Sequence, residues 1–220
     1  MSRGQVAAIL FDFDHTLGMA HLLEEGVMRD LAVQYGGRAP TNVELASGLR
    51  CFRHGQCSLG AMLDSVMRAT GADAPANVEA QFRARCLSLA DTSTVAMPGA
   101  VELLGELRSR GVPNGILTNG WTELQRAKAS AIGYEGSVVV SEEIGFWKPD
   151  PRAFAAACES FSYTPGTTMY VGDSPDTDVV GSKAAGLIGC WADIEGKTYP
   201  AECVSPDVTV TWLPDVLKLL

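Results

Sequence analysis

The segment that most constrains the fold is a short apolar run that ends in two carboxylates. Residues 6–11 read VAAILF, and Asp12 and Asp14 follow them with one residue between. A run this short, bounded by polar residues, predicts a strand buried on both faces. Residues two apart in a strand point to the same side, so both acids are predicted to enter one small volume. Like charges that close repel unless a metal ion or a proton separates their roles. The segment therefore predicts a catalytic site at the carboxyl end of a central strand.

Strand and helix patterns alternate along the second half of the chain. Strands are predicted at 112–117, 137–140, 168–171 and 187–191, with a final edge strand at 207–212. Asp150 and Pro151 suit the cap and first position of one intervening helix. This alternation predicts parallel βαβ units, and hence a Rossmann-like, doubly wound parallel sheet of the α/β class. Ligands of such sheets bind at the carboxyl ends of the strands.

The segment between the first strand and this alternating region reads as helices without a convincing strand. Thr41 and Glu44 fit a capping box that opens the second of these helices. Core positions are predicted in the first helix at Leu22, Val27, Leu31 and Val33, and in the third at Leu59, Met62, Leu63, Val66 and Met67. The predicted domains are an α/β core at 1–17 and 93–220 and an inserted helical domain at 18–92.

Composition sets limits on the partners of the chain. Its 220 residues are 46% hydrophobic and 20% charged, which is ordinary for a globular protein with a substantial core. A formal net charge of −9 argues against a nucleic-acid polymer as partner, because phosphate backbones are bound by clustered lysine and arginine. The apolar run is too short to span a membrane, and no signal-peptide pattern precedes it. We therefore expect a cytoplasmic protein, with no membrane partner, whose six cysteines stay reduced.

Four polar clusters fall at the carboxyl ends of predicted strands or in the loops that follow them. A parallel sheet brings such ends to one edge, so clusters distant in sequence can converge there. Carboxylates suit Mg²⁺, while a hydroxyl and an ammonium group suit an anion, and together they fit phosphoryl transfer. The clusters are Asp12, Asp14 and Thr16; Thr118 and Asn119; Lys148; and Asp173 with Asp178.

These clusters lie in four motifs that resemble those of the haloacid dehalogenase-like (HAD) hydrolase superfamily. The motifs are DFDHTL, LTNG, KPDP and VGDSPDTD, in the order that the family shows, and the resemblance extends from Val6 to about Trp191. The helical insert lies between the first and second motifs, which resembles the family's C1-type helical cap. One departure is His15, where many members carry glycine.

The resemblance implies distinct roles for the two acids of the first motif. Asp12 is implied as the nucleophile that forms an aspartyl phosphate, and as a metal ligand. Asp14 is implied as the acid that protonates the leaving oxygen and later deprotonates water, and as a Mg²⁺ ligand through its backbone carbonyl. We expect apolar surroundings beneath a closed cap to push Asp14 towards its protonated form.

The other motifs supply the groups that would neutralise charge. The resemblance implies that Thr118 hydrogen-bonds the phosphoryl oxygens with Asn119 beside it, and that Lys148 neutralises Asp12 and the phosphoryl group. Asp173 is implied as a metal ligand. Asp178 is implied to hold either the metal's waters or Lys148 from outside the coordination sphere.

The function expected from this resemblance is a Mg²⁺-dependent phosphatase for a small phosphorylated metabolite. A phosphomutase of the β-phosphoglucomutase kind, which uses the same two aspartates, is the first alternative. A haloacid dehalogenase is less favoured, since that chemistry uses neither Asp14 nor a metal such as Asp173 would bind. A non-catalytic phospholigand-binding protein is least favoured, because Asp12 is present.

Residues that could select the substrate lie outside the motifs or at their edge. His15 and Arg53 are candidate substrate contacts, and Arg50, His54 or His21 could serve instead. For any one charged side chain of the cap, a solvated surface position is the simpler interpretation. His15 has two alternatives to a substrate contact: it could be exposed to the cleft or packed under the cap. Neither the identity of the phosphate ester nor the oligomeric state follows from the sequence.

Overall fold

The chain divides into two compact units in a computed structural model that describes residues 6–220. One unit comprises the described residues up to Met19 together with Val95–Leu220, and the other comprises Ala20–Thr94. These boundaries lie two residues from the predicted ones at 17/18 and 92/93. We call them the α/β unit and the helical unit.

A parallel six-stranded sheet forms the centre of the α/β unit. Its order is β5-β4-β1-β6-β7-β8, and every neighbouring pair is parallel, which confirms the predicted α/β class. The strands are β1 (Ala8–Phe11), β2 (Gly18–Ala20), β3 (Thr94–Ala96), β4 (Asn114–Thr118), β5 (Val138–Val140), β6 (Thr168–Gly172), β7 (Ile188–Ala192) and β8 (Val208–Val210). The strands β2 and β3, which the sequence analysis missed, pair with each other where the chain passes between the units.

Helices account for most of the remaining regular structure. They are α1 (Leu23–Gln34), α2 (Asn42–Arg53), α3 (Leu59–Thr70), α4 (Val78–Ser93), α5 (Ala100–Ser109), α6 (Thr122–Ala131), α7 (Ser141–Ile144), α8 (Pro151–Phe161) and α9 (Val180–Ala184). A π-helical turn, Pro175–Val179, precedes α9, and the closing segment Leu213–Leu219 is a 3₁₀ helix. Within residues 6–220, none of the helices has both the length and the apolar character needed to cross a membrane.

Strand β1 is buried on both faces, as its apolar run predicts. Ile9, Leu10 and Phe11 have no exposed surface. Ile9 and Phe11 pack into the core cluster that also contains residues of α5, while Leu10 packs into the cluster that contains residues of α8. The central position follows from this, because only an interior strand with helices on both sides can bury successive residues. The backbone N–H of Asp12 donates to Val171 O at 2.9 Å, which ties the end of β1 to β6.

The helical unit confirms most of its predicted core, with two exceptions. Val27 and Leu31 are buried, but Leu22 and Val33 are 58% and 56% exposed. Val33 lies two residues beyond buried Leu31, which turns it by about 200° to the opposite side of a helix with 3.6 residues per turn. Leu22 precedes α1 and has a left-handed backbone, with φ of 55°, so it does not continue the helical face.

The predictions of helix caps, and of the buried side of α3, are confirmed, unlike the predicted buried side of α1. Thr41 and Glu44 form the predicted capping box at the start of α2. Asp150 caps α8, and Pro151 occupies its first turn. The five apolar residues predicted to share one side of α3 are all buried.

Candidate active site

Lys148 lies at the centre of a buried polar cluster at the carboxyl ends of β1 and β6. Its side chain is 3% exposed. Its Nζ donates to Asp12 Oδ1 at 2.6 Å, to Tyr170 OH at 2.7 Å and to Asp178 Oδ1 at 2.8 Å. Burial by itself lowers the pKa of Lys148, but the carboxylates of Asp12 and Asp178 outweigh it and raise that pKa overall. The side chain is therefore a fixed positive charge with all three of its donors engaged.

Three carboxylates gather around this charge. One oxygen from each of Asp12, Asp173 and Asp178 lies within 4.8 Å of the other two. Burial raises the pKa of Asp12 to about 6, with Lys148 opposing and the charges of Asp178 and Asp14 adding to the rise. Burial likewise raises the pKa of Asp173 and of Asp178. The three carboxylates share one small volume, and burial makes them resist ionisation. Their ligand atoms are all oxygens, and such a set fits a hard divalent cation such as Mg²⁺.

The backbone at the end of β6 is shaped to admit Asp178. A Cβ added to Gly172 would lie 2.4 Å from Asp178 Cγ, so only glycine leaves room for this carboxylate. The backbone N–H of Ser174 donates to Asp178 Oδ2 at 3.0 Å. The other carboxylate oxygen of Asp178, Oδ1, accepts from Lys148 Nζ. Of the two roles that the resemblance leaves to Asp178, the structure shows the contact with Lys148.

Thr118 is the last residue of β4, and Asn119 follows it beside the loop that carries Lys148. Thr118 is 1% exposed. The Asn119 side chain donates through Nδ2 to Lys148 O at 2.9 Å and accepts through Oδ1 from the backbone N–H of Lys148, also at 2.9 Å. These two bonds fix the backbone from which the Lys148 side chain extends. In this structure Asn119 thus positions the loop of Lys148.

Asp14 has a more polar environment than the sequence analysis expected. Lys128 Nζ forms an ion pair with Asp14 Oδ1, and Gln125 Nε2 donates to Asp14 Oδ2 at 3.1 Å. The apolar surroundings predicted for Asp14 are therefore wrong for the α/β unit, because α6 turns a buried lysine and a buried glutamine towards it.

His15 occupies a backbone conformation that favours glycine. Its φ is 62°, in the left-handed region, where histidine is tolerated better than most other residues. Its Nδ1 lies 3.1 Å from Glu195 Oε1. Lys197 Nζ in turn contacts Glu195 Oε2 and Asp173 Oδ2, each at 2.8 Å. Through these contacts His15 is connected to the carboxylate cluster.

Arg53, the other candidate substrate contact, belongs to the helical unit. Its Nη2 donates to Glu24 Oε2 at 2.7 Å, and Glu24 is buried. Arg50, His54 and His21 are exposed, as the simpler interpretation of these residues requires. A role for Arg53 towards substrate stays a prediction.

Four residues of the site were missed by the sequence analysis: Gln125, Lys128, Tyr170 and Lys197. Lys128 was detectable in principle, since it lies four residues after Leu124 and therefore shares the buried face of α6. Tyr170 and Lys197 gave no such signal. A tyrosine in a buried strand is ordinary, and the loop that carries Lys197 has no regular pattern.

A parallel sheet with an acidic cluster and a buried lysine at its carboxyl edge is the arrangement that the four motifs predict for a hydrolase of the HAD type. Residues 6–186 match the sequence model of the haloacid dehalogenase-like hydrolases. The chain belongs to this family.

Relatives of known activity include several phosphatases. The phosphoserine phosphatase of Thermus thermophilus is 38% identical over 122 residues, covering 54% of this chain and 49% of that protein. The chain thus matches about half the length of this relative. The glyceraldehyde 3-phosphate phosphatase of Methanopyrus kandleri is 29% identical over 217 residues, covering 87% of this chain and 88% of that protein.

Among solved structures, the HAD-hydrolase YfnB from Bacillus subtilis bound to magnesium superposes with a TM-score of 0.73. It is 22% identical and covers 99% of both chains, which shows a shared fold. Dehalogenases also occur among the related sequences and folds. The family comparisons therefore support a phosphatase but also include a second chemistry.

Proposed function

We propose that this protein is a Mg²⁺-dependent phosphatase that hydrolyses a small phosphate monoester through an aspartyl-phosphate intermediate. The observation that carries the proposal is the contact of Asp12 with Lys148, beside the carboxylates of Asp173 and Asp178. A nucleophilic carboxylate, a fixed ammonium group and an acidic cation site are the parts that phosphoryl transfer to an aspartate needs. The phosphatase relatives support the same reaction.

In the first half of the reaction, an oxygen of Asp12 forms a bond to phosphorus as the bond from phosphorus to the ester oxygen breaks. Protonated Asp14 gives its proton to the leaving oxygen, which departs as an alcohol. Lys148 stays charged beside Asp12 and offsets the repulsion between this carboxylate and the phosphoryl group. Thr118 would donate a hydrogen bond to a phosphoryl oxygen.

In the second half, water attacks the phosphorus of the aspartyl phosphate. The Asp14 carboxylate takes a proton from this water, and the bond between Asp12 and phosphorus breaks. The products are inorganic phosphate, the Asp12 carboxylate and protonated Asp14. The site thereby returns to its initial protonation state.

Asp12 and Asp173 are the residues that would bind the magnesium ion, with the backbone carbonyl of Asp14. When bound, Mg²⁺ would supply positive charge next to the phosphoryl oxygens. Asp178 would lie outside the coordination sphere, since both of its oxygens already accept hydrogen bonds from Lys148 and Ser174.

A haloacid dehalogenase is the competing function, because dehalogenases occur among the relatives. That reaction needs an aspartate nucleophile but neither a metal nor an acid at Asp14. The carboxylate cluster and the two α6 side chains on Asp14 would then be unused. We therefore favour the phosphatase.

The test is phosphate release from a panel of small phosphate esters, with Mg²⁺ and after chelation. We expect turnover by the wild-type protein with Mg²⁺, loss of turnover on chelation, and a decrease of about 10³-fold or more in Asp12→Asn. Asp176→Asn is the matched control, because Asp176 is an exposed carboxylate two residues from Asp178. Turnover that survives full chelation, or halide release from a haloacid in place of phosphate release, would refute the proposal.

The cytoplasmic location expected from the sequence stays a prediction. Fractionation of the source cells, followed by detection of the protein, would test it.

A further inference from the structure

Helix α6 carries two polar side chains, Gln125 and Lys128, on its buried face. Gln125 and Lys128 are 4% and 2% exposed. They lie three residues apart and therefore on one face of the helix. Lysine is almost never fully buried unless it is paired, because removing its charge from water is costly. A buried lysine that none of the four family motifs includes therefore needs a partner and a reason.

The partner of both side chains is Asp14. Lys128 Nζ contacts Oδ1, and Gln125 Nε2 donates to Oδ2 at 3.1 Å. The Gln125 amide also donates to Asn119 O at 3.1 Å, which connects α6 to the loop after β4. Lys128 Nζ lies 5.2 Å from the centroid of the Phe13 ring, so the ammonium group is bounded by the residue that precedes Asp14. Both oxygens of one carboxylate are thus bound by side chains of a single helix.

The surrounding backbone makes room for this arrangement. Gly120 has φ of 144°, and a Cβ added there would lie 2.5 Å from Gln125 Nε2. A side chain at position 120 would therefore displace the amide that contacts Asp14. This close approach is independent of the ion pair, and it shows that the glycine at position 120 leaves room for the Gln125 amide.

We propose that Lys128, assisted by Gln125, is a positioning residue for Asp14 in the proposed phosphatase reaction. A carboxyl group that must exchange a proton with a leaving oxygen and then with water has to stand in one orientation relative to the reacting phosphorus. The rotation of a free aspartate side chain would scatter that orientation. Lys128 restricts it from the side of α6 through its contact with Asp14 Oδ1.

This inference rests on the proposed function, and a double-mutant cycle tests it. The variants are Lys128→Met, Asp14→Asn and the two combined, with kcat and KM measured for one phosphate ester. We expect Lys128→Met to lower kcat roughly 10-fold to 100-fold, with KM changed less than about 3-fold. If Lys128 acts through Asp14, the same substitution in the Asp14→Asn background should change kcat by less than about 3-fold.

Two further variants guard against a simple folding defect. Arg126→Met is the matched control, because Arg126 is an exposed cation on the same helix that pairs with Glu143, and its kcat should stay within about 2-fold of wild type. Gln125→Met keeps the Lys128 charge and removes the amide's contacts with Asp14 Oδ2 and with Asn119 O. It should lower kcat by about 3-fold to 10-fold, and it serves as the test if Lys128→Met does not fold.

The outcomes separate this inference from the proposed function. If wild type releases phosphate and Asp12→Asn does not, the proposed function stands. An undiminished kcat in Lys128→Met and Gln125→Met, equal losses in the two Asp14 backgrounds, or a change in KM alone would then overturn the role of Lys128 by itself. If wild type releases no more phosphate than Asp12→Asn from any ester, both proposals fall together.

Discussion

The α/β unit and the helical unit bury polar groups in different ways. Among the residues that the structure describes, the buried charged side chains of the α/β unit are Asp12, Lys128, Lys148 and Asp178. The helical unit buries Glu24, Thr70 and Thr94. The Thr70 hydroxyl donates to carbonyls of its own helix, and the hydroxyl of Thr94, the residue after α4, donates to Ala90 O in that helix. Its remaining buried side chains are apolar.

This difference separates a unit built for packing from one that carries chemistry. In the helical unit, each buried threonine satisfies a local backbone carbonyl, which costs little and leaves no reactive group. In the α/β unit, carboxylates and ammonium groups from separate strands and loops meet in a small volume, where burial raises the pKa of Asp12, Asp173 and Asp178. Natural folds tolerate such unfavourable clusters mainly at functional sites.

The largest change in stability is expected from removing the central charge of the α/β unit. Lys148→Met should lower kcat about 10²-fold to 10³-fold, because the charge beside the nucleophile is lost. It should also lower the free energy of unfolding of the metal-free protein by about 3 kcal/mol, because Asp12 and Asp178 then face each other without a cation. Phosphate release and urea unfolding measure the two effects.

Lys183→Met is the matched control for this prediction. Lys183 pairs with Asp207 at 2.9 Å in the same unit, but both side chains are 26% exposed. Its removal should cost less than about 1 kcal/mol and leave turnover unchanged. Equal losses of stability in the two lysine variants would contradict the contrast between a buried functional cluster and ordinary surface pairs.

A smaller change in the free energy of unfolding, of opposite sign, is expected from replacing the Asp12 carboxylate with a neutral amide. Burial raises the pKa of Asp12 from 3.8 to about 6, so its ionisation costs more in the folded than in the unfolded protein. The metal-free wild type should therefore lose stability as pH rises between about 4 and 6, and keep that deficit above pH 6. Asp12→Asn cannot ionise, so at pH 7.5 it should be more stable than wild type by about 2 kcal/mol.

Urea unfolding in the presence of a chelator, at pH 4 and at pH 7.5, measures this difference. The stabilisation should be present at pH 7.5 and nearly absent at pH 4. If Asp12→Asn is less stable than wild type at pH 7.5, the carboxylate cluster is not the source of strain that we infer.

The smallest effect is expected in the helical unit. Arg53 pairs with buried Glu24, but its own side chain is 43% exposed. Arg53→Met should therefore lower the free energy of unfolding by less than about 1 kcal/mol. If Arg53 also contacts the substrate, as the sequence analysis predicts, KM should rise about 3-fold or more.

Glu24→Gln separates these two roles, because it removes the charge pair and keeps the arginine. We expect its KM to match that of wild type. A KM that rises equally in both variants would show that Arg53 acts only within the helical unit, and the predicted substrate contact would be wrong.

Much of the framework could be predicted because its signals are local. The unbroken apolar run before Asp12 identified a strand buried on both faces, and the alternation after it identified a parallel sheet. The capping box of Thr41 and Glu44 marked the start of α2. Such signals depend on neighbours a few residues away, which the sequence shows directly. The prediction that Leu22 and Val33 are buried was wrong. In a short, weakly amphipathic helix such as α1, tertiary packing decides which side faces the core.

The sequence by itself determined which carboxylates stand at strand ends, and through them the family and the class of reaction that we propose. Only the tertiary structure decided how their charges are balanced. Lys148 binds Asp12 and Asp178, Lys197 contacts Asp173, and Lys128 on α6 binds Asp14, 114 residues away in the chain. A lysine has no local signal for its partner, because its long side chain pairs across whatever space the fold creates. The motif alone therefore predicted that Asp14 acts as an acid. That α6 contacts Asp14 could be seen only in the folded chain.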